Sequence, residues 1–337
     1  MKTLYLFRSN LRILEDYHSY TNLKDFKNNC WDFYLLLPLW LLENDYFDKV
    51  YIIRLQPKRK HKDIIFNING KEYIQKFVND FEECFKLEKP EISFFRGGFK
   101  EYDQVLMKNK KFFGKTLYLG ASKRMFPSHD NLYDKILLES ELELNINNPK
   151  SISFYKIANP RIFKPLNKKK IYDICFPNNF TQINYKGQKF FFETLAACSY
   201  LKKLKIVHIG NKSEVGKKIC KRYGITNIEF KGKVTRKELN DILNISKVGL
   251  VTSNLTDGCP RISTEILSSG TPLLLRKKTR LLNYYKKEGV INFNDKKMIK
   301  QIKIAVDGYK EFEDLILKRL GEDLSFDLIC KKNIEQW

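Results

Sequence analysis

The sequence predicts an α/β protein built from two doubly wound, Rossmann-like halves, and three observations lead there. Short apolar runs alternate with helical stretches along the whole chain, the pattern of parallel sheets covered by helices. A length of 337 residues is too great for one ordinary core and suits two domains of about 150 residues each. The alternation also breaks off at NPRIFKPLNKKK (159–170), where two prolines and a run of lysines mark a boundary, and begins afresh beyond it.

Taken in order, the apolar and aromatic run Thr3–Phe7 reads as a buried opening strand. A helix over Trp31–Asn44 precedes the strand Lys49–Leu55, and the basic segment QPKRKHKD (56–63) follows as a loop. Helical periodicity over Glu72–Phe85 predicts a further helix. The strand Glu91–Phe95 runs into Arg96, Gly97 and Gly98, and Thr116–Leu119 and Lys135–Glu139 are the next strands. Beyond the boundary, strand Ile171–Phe176 leads to helix Lys189–Tyr200, and strand Leu204–Ile209 to helix Glu214–Tyr223. Strand Ile228–Phe230 leads to helix Arg236–Asn244, and strand Val248–Val251 enters Thr252–Asp257 before a helix that opens near Pro260. Strands Pro272–Leu275 and Val290–Phe293 complete the series. The expected division is a first domain over 1–165, a second over 166–308, and a helical segment over 309–337 that packs back across the cleft between them. A ligand is expected in that cleft, at the carboxyl ends of the strands.

Charge is distributed unevenly. The chain carries 62 Lys and Arg against 39 Asp and Glu, a net +23. Residues 1–150 contribute +4 and residues 151–300 contribute +21, while the last 37 residues come to −2. A basic second half points to phosphate-bearing partners, with an anionic membrane surface or nucleic acid able to use the excess; a lysine-rich solvated surface is the plainer account. No apolar run approaches the roughly 18 residues that span a bilayer, and the longest, Phe33–Leu42, contains Pro38. That run fits either a buried helix or, with the segments 56–62 and 108–115, a face resting on an anionic membrane. The N-terminus lacks a signal-peptide layout, since Arg8 and Arg12 interrupt any apolar core. Seven dispersed cysteines without a CxxC, and four isolated histidines, fit a reducing compartment and argue against a zinc centre. The expected location is the cytoplasm, or the membrane surface facing it. GxGxxG, GxxxxGK[ST] and GxSxG are all absent, which weakens dinucleotide-binding, P-loop and serine-hydrolase readings.

The most informative stretch is VGLVTSNLTDGCPRISTEILSSGTPLLL (248–275). A buried strand ends in small polar residues, a loop carries Asp257 and Gly258, and a helix opens at Pro260, a residue suited to a first turn because its missing N–H is not needed there. Free N–H groups at such a turn form an anion site at a strand's carboxyl end. Asp257 and Glu265 flank the turn, and carboxylates so placed accept sugar or ribose hydroxyls. The same residues also fit a simple capped helix, with Asp257 in a loop and Glu265 in solvent.

The ordered set of elements resembles the donor domain of GT-B glycosyltransferases, the retaining family 4 type in particular. The family's glutamate-x7-glutamate motif is matched by Asp257-GCPRIST-Glu265, followed by SSGTPLLL. KIVHIGNKSE (205–214), IEFKGKVTRKELNDILNISKVGLVTS (228–253) and IYDICFPNNFTQINYKG (171–187) are similar to the family's successive strand, glycine-turn and Lys-Gly elements. YDKILLESE (133–141) and ANPRIFKP (158–165) resemble the last N-terminal strand and its link onward. The likeness covers about 133–294 in motifs and 1–132 only in architecture.

The resemblance implies a GT-B fold, two Rossmann-like domains with an interdomain cleft, and an EC 2.4-type transferase of hexosyl or related units. The donor would be a nucleotide-sugar, UDP- or GDP-linked, and the acceptor a glycan or lipid-linked molecule. Glu265 would bind the ribose hydroxyls and Asp257 a hydroxyl of the sugar, with backbone of Gly258, Cys259 and Pro260 beside sugar and phosphate. Lys186 would neutralise the diphosphate, and backbone near Gly232 and Val234 would frame the base. No cofactor or divalent metal is expected, because Lys186 and the helix N-terminus take its electrostatic role. The family's arginine partner of the lysine is replaced by Pro177, Asn178 and Asn179; Arg261 either substitutes for it or sits on the helix surface. Arg8, Ser9 and Asn10 stand where the family has a glycine-rich loop and are candidate acceptor residues, as is His129, which otherwise is a plain loop histidine. Two alternatives stay open, a transferase that glycosylates DNA and a nucleotide-sugar-binding protein without catalysis.

Overall fold

The computed structural model describes residues 1–8, 22–55, 62–97, 99–120, 127–140, 148–180, 186–253 and 260–337. These form two compact units, the first comprising Met1–Leu138, Leu142–Tyr155 and Cys330–Trp337, the second Glu139–Glu141 and Lys156–Ile329.

In the first unit β1 (Thr3–Arg8) is followed by α1 (Leu23–Asn29) and α2 (Phe33–Glu43). Asn22 caps α1 by accepting the Asp25 N–H, and Asp32 caps α2 by accepting the Tyr34 N–H. Every residue from Phe33 to Leu42 is buried, Pro38 included, so this apolar run is a core helix and not a membrane-resting face. Then come β2 (Lys49–Leu55), β3 (Ile64–Ile68), β4 (Lys71–Val78), β5 (Ile92–Arg96), α3 (Lys100–Asn109), β6 (Lys115–Leu119), β7 (Lys135–Leu138) and β8 (Ser151–Ser153). The expected loop at 108–115 is instead the end of α3, a 3₁₀ turn over Lys110–Phe113 and the start of β6; residues 56–61 lie outside the described residues. The strand order is β3-β4-β2-β1-β5-β6-β7-β8, with neighbouring strands parallel except for the antiparallel β3–β4 pair.

That pair overturns the helix expected over Glu72–Phe85, where the chain forms β4 and then a 3₁₀ turn at Phe81–Lys86. Tyr73, Phe77 and Phe81 recur every fourth residue and are all buried, which imitates a helical stripe. A strand buried on both faces does not alternate, so periodicity misleads there. The decisive local signal is Asn69-Gly70, with φ of 51° and 80°, the two-residue turn that closes a tight hairpin. One face of this sheet is packed with aromatic rings, among them Phe7 and Phe95, stacked at 4.5 Å. The C-terminal residues join the same unit: Asn333 exchanges two hydrogen bonds with the Tyr155 backbone, and Trp337 lies 5.7 Å from Phe94.

The second unit follows the sequence reading closely. It runs β9 (Tyr172–Pro177), α4 (Gln188–Ala197), β10 (Ile206–Ile209), α5 (Ser213–Tyr223), β11 (Ile228–Gly232), α6 (Arg236–Asn244), β12 (Ser246–Val251), α7 (Arg261–Ser268), β13 (Leu273–Arg276) and β14 (Val290–Phe293). α8 (Met298–Asp307), α9 (Tyr309–Gly321) and α10 (Phe326–Ile334) follow, and the division between units falls within α10. The sheet is wholly parallel in the order β11-β10-β9-β12-β13-β14. The four-residue strands β10 and β13 are fully buried, as strands covered on both faces require, while the edge strand β14 is buried at alternate residues. No helix among the described residues is long and apolar enough to cross a membrane.

Candidate functional site

The strand order of the second sheet reverses between β9 and β12, and an open α/β sheet holds ligands at such a switch point, beyond the carboxyl ends of its strands. The two segments singled out in the sequence leave these two strands. Lys186 and Gly187 end the connection from β9 to α4, and Pro260 ends the connection from β12 to α7.

The two connections touch. Thr252 Oγ1 donates to the Lys186 carbonyl at 2.6 Å. Gly187 has φ of 70°, and a Cβ there would stand 2.1 Å from the Thr252 carbonyl oxygen. Glycine is therefore required twice over, for its left-handed backbone and for the space. The Lys-Gly turn is built against the end of β12.

α7 opens at Arg261, with Pro260 at its N-cap and not inside its first turn; Pro260 has φ of −63° and ψ of 119°, and its carbonyl accepts the Ser263 N–H at 3.0 Å. Glu265 lies one turn further on. It is 2% exposed, not solvated, and its Oε1 accepts a hydrogen bond from Arg236 Nη1 at 2.8 Å. Arg236 is the first residue of α6, whose start is fixed by a capping box: Thr235 accepts the Glu238 N–H, and Glu238 accepts the Thr235 N–H. Upstream, the Gly232 carbonyl accepts the Gly210 N–H at 2.8 Å, joining the ends of β11 and β10, and Val234 is half-buried in the turn that follows.

Pro177, Asn178 and Asn179 serve the scaffold. The Asn178 N–H donates to the Ile209 carbonyl at 2.9 Å, Asn179 Oδ1 accepts the Asn211 N–H at 2.8 Å, and the Asn179 carbonyl accepts from Gln188 Nε2 at 2.6 Å. At the end of β13, Arg276 grips Asp295 with two hydrogen bonds of 2.7 and 2.8 Å, reaches the Thr252 carbonyl at 3.3 Å, and lies 4.5 Å from the centre of the Phe190 ring. These bonds, helped by Lys278, hold the Asp295 carboxyl well below its ordinary range, at about 2.

Comparison with solved structures fits this topology over the whole chain. Sucrose-phosphate synthase from Thermosynechococcus elongatus aligns with 99% of this chain and 98% of its own at a TM-score of 0.68 and 11% identity. The lipopolysaccharide outer core galactosyltransferase WaaB aligns with 100% and 99% at 0.60 and 12% identity. HepE from Anabaena, in complex with UDP and glucose, aligns with 99% of each chain at 0.62 and 10% identity. The chain has the GT-B fold. No family model and no curated protein matches the sequence.

Within the GT-B frame, Lys186, Pro260, Arg261 and Glu265 come from the loops and helix at the β9/β12 switch point, and Gly232 and Val234 from the neighbouring β11 end. Asp257, Gly258 and Cys259 lie outside the described residues, as do Ser9 and Asn10. In the first unit Arg8 is buried at the end of β1 and paired with Asp32. His129 is half exposed, its Nδ1 3.1 Å from Asp103 Oδ2, and that carboxylate also accepts the Tyr133 hydroxyl at 2.8 Å. Sequence reading missed Arg236 and Arg276. The TRKE capping box fixes where α6 starts, but nothing local tells that its first side chain reaches Glu265, 29 residues away. Among the described residues, no group of three or more His, Cys, Asp or Glu is placed to hold a metal ion.

Proposed function

We propose that this chain is a glycosyltransferase that moves a sugar, a hexosyl or related unit, from a UDP- or GDP-linked donor to a glycan or lipid-linked acceptor. What carries the reading is one observation: Lys186–Gly187 and the Glu265 helix are joined through the end of β12 at the switch point of the second sheet. HepE, which shares the fold, is in complex with UDP and glucose, and that supports a uridine-linked donor. Glu265 binds the ribose hydroxyls, Asp257 a sugar hydroxyl, and Lys186 with the N-terminus of α7 the diphosphate, where negative charge grows as the donor bond breaks. Transfer proceeds with retention. The bond between anomeric carbon and diphosphate oxygen breaks, the acceptor oxygen bonds to the same face, and its proton passes to the leaving diphosphate. No metal is needed if Lys186 and the helix end carry that charge.

The test is a thermal-shift and calorimetric screen of nucleotide-sugars in chelator. Micromolar binding of a UDP- or GDP-sugar, lost in Glu265→Ala, supports the reading, and slow hydrolysis of that donor separates an enzyme from a binding protein. Unchanged donor affinity in Glu265→Ala overturns the site. A second reading has DNA as acceptor. It is favoured by the exposed cations Lys202, Lys203, Lys205, Lys217, Lys218 and Lys221 of the second unit, and it requires binding that falls steeply with salt.

A further inference from the structure

The end of the first sheet carries a cluster that the donor chemistry does not use. Arg8, Arg54 and Arg96 are the last or next-to-last residues of β1, β2 and β5, three adjacent parallel strands at the middle of that sheet. They are in register, Arg8 opposite Arg54 on one side and Arg96 on the other. In-register residues of parallel strands point to the same face, so the three side chains stand in a row about 10 Å long, at roughly 4.8 Å per strand. Arg8 and Arg54 are 2% and 3% exposed, and Arg96 is half-buried. The contacts agree with a single locus. Asp32 at the cap of α2 pairs with Arg8, the Arg96 guanidinium lies 3.7 Å from the centre of the Tyr34 ring two residues on, and Arg8 and Arg54 both act electrostatically on Cys30 and Tyr73.

Hydrophobic residues would close the end of a sheet core more cheaply, because a buried guanidinium is desolvated at a cost that only well-made contacts return. Arginine is also the side chain whose planar fork matches phosphate oxygens two at a time. The row stands at the carboxyl ends of parallel strands, where α/β sheets bind ligands. We propose that Arg8, Arg54 and Arg96 form an oxyanion site for a phosphate or diphosphate group. That this group belongs to the sugar acceptor rests on the transferase reading above; the site itself does not. Its sources are the diphosphate of a lipid-linked glycan or the monophosphate of a sugar phosphate.

The test is calorimetric titration of the full chain with inorganic pyrophosphate and with orthophosphate, in wild type, Arg54→Gln, Arg96→Gln and Lys186→Ala. Loss of one charge-assisted contact predicts about tenfold weaker pyrophosphate binding in each arginine variant. Lys186→Ala should remove only pyrophosphate bound at the proposed donor site and leave the arginine-dependent binding in place. Arg96→Gln, at a half-buried position, keeps the test valid if Arg54→Gln does not fold. Pyrophosphate bound more tightly than orthophosphate supports a diphosphate, and equal affinities support a monophosphate. Absence of binding, or binding that Lys186→Ala removes while both arginine variants keep it, overturns the inference. Arginine-dependent binding without affinity for any nucleotide-sugar would refute the transferase reading and leave the oxyanion site standing.

Discussion

The ion pair between Arg236 and Glu265 is asymmetric, and that asymmetry makes a sharp prediction. The carboxylate is 2% exposed and the arginine side chain 37% exposed. Arg236→Ala strands a buried carboxylate, a loss of about 3 kcal/mol or more. Glu265→Gln keeps the shape and a hydrogen-bond acceptor, and the arginine left behind rehydrates, so about 1 kcal/mol is lost. With a urea slope of about 2 kcal/mol per molar, the midpoints should fall by about 1.5 M and about 0.5 M. Urea unfolding followed by far-UV circular dichroism measures both. Tryptophan fluorescence is the control for damage elsewhere, because Trp31, Trp40 and Trp337 all belong to the first unit. Equal losses, or a larger loss for Glu265→Gln, would refute the reasoning, since either result means that the buried carboxylate does not depend on Arg236. The outcome also bears on function. On the proposed reading, the half-exposed Arg236 is the partner that ribose hydroxyls would replace at Glu265.

Three further outcomes follow from local geometry. Gly187→Ala should destabilise by about 1–3 kcal/mol and weaken donor binding, because a Cβ there meets the Thr252 carbonyl at 2.1 Å in a left-handed turn; an unchanged melting temperature would count against the turn as described. His208 is fully buried beside Phe176, Phe180 and Phe230, and burial pulls its pKa down to about 4 from 6.5. The unfolded chain therefore binds the extra proton first, and stability falls as pH drops from 6.5 to 4, by a loss on the order of 3 kcal/mol that His208→Leu should flatten in pH-dependent melts. Asp295 behaves as a depressed carboxyl: its pairing with Arg276 is fully stabilising above about pH 4 and is lost as pH falls through about 2, so Asp295→Asn should remove part of the acid-unfolding slope in that window.

Most of the second sheet was legible because buried parallel strands appear as apolar runs, as at β9, β10, β12 and β13, whereas the edge strand β11, IEFKG, alternates and was marked by the glycine that ends it. Its motif residues were legible because turn chemistry is local, with glycine after lysine and proline before a helix. Long-range partners were not. Glu265 reads in sequence as an ordinary helical glutamate, and only the fold brings Arg236 to it and buries it. In the first unit the hairpin at Asn69-Gly70 was announced by its turn, but the fourfold spacing of Tyr73, Phe77 and Phe81 outweighed that signal. α3 was missed although its buried Tyr102, Val105 and Leu106 stand at the i, i+3, i+4 spacing of a helix face, because that pattern lasts little more than one turn among polar residues.

Charge shows the difference between counting and placing. The excess of +21 over residues 151–300 pointed to the second half as the handler of phosphate, yet many of those cations are exposed lysines on α5 and the turns around it. The first 150 residues, at +4, hold three of their six arginines, Arg8 and Arg54 buried and Arg96 half-buried, in a row at the centre of a sheet. These two arrangements respond differently to salt. Exposed lysines are screened over a Debye length of about 8 Å at physiological ionic strength, so whatever they bind should be stripped as salt rises. Guanidiniums fixed behind a helix are screened far less, and a phosphate on Arg8, Arg54 and Arg96 should lose only a few-fold in affinity between 50 and 200 mM salt, against about 10³-fold or more for a polyanion contacting six lysines. Repeating the pyrophosphate titration and a DNA-binding titration across that range separates the two. Parallel losses would mean that both ligands sit on the same exposed lysines, and the buried row would then be scaffold alone.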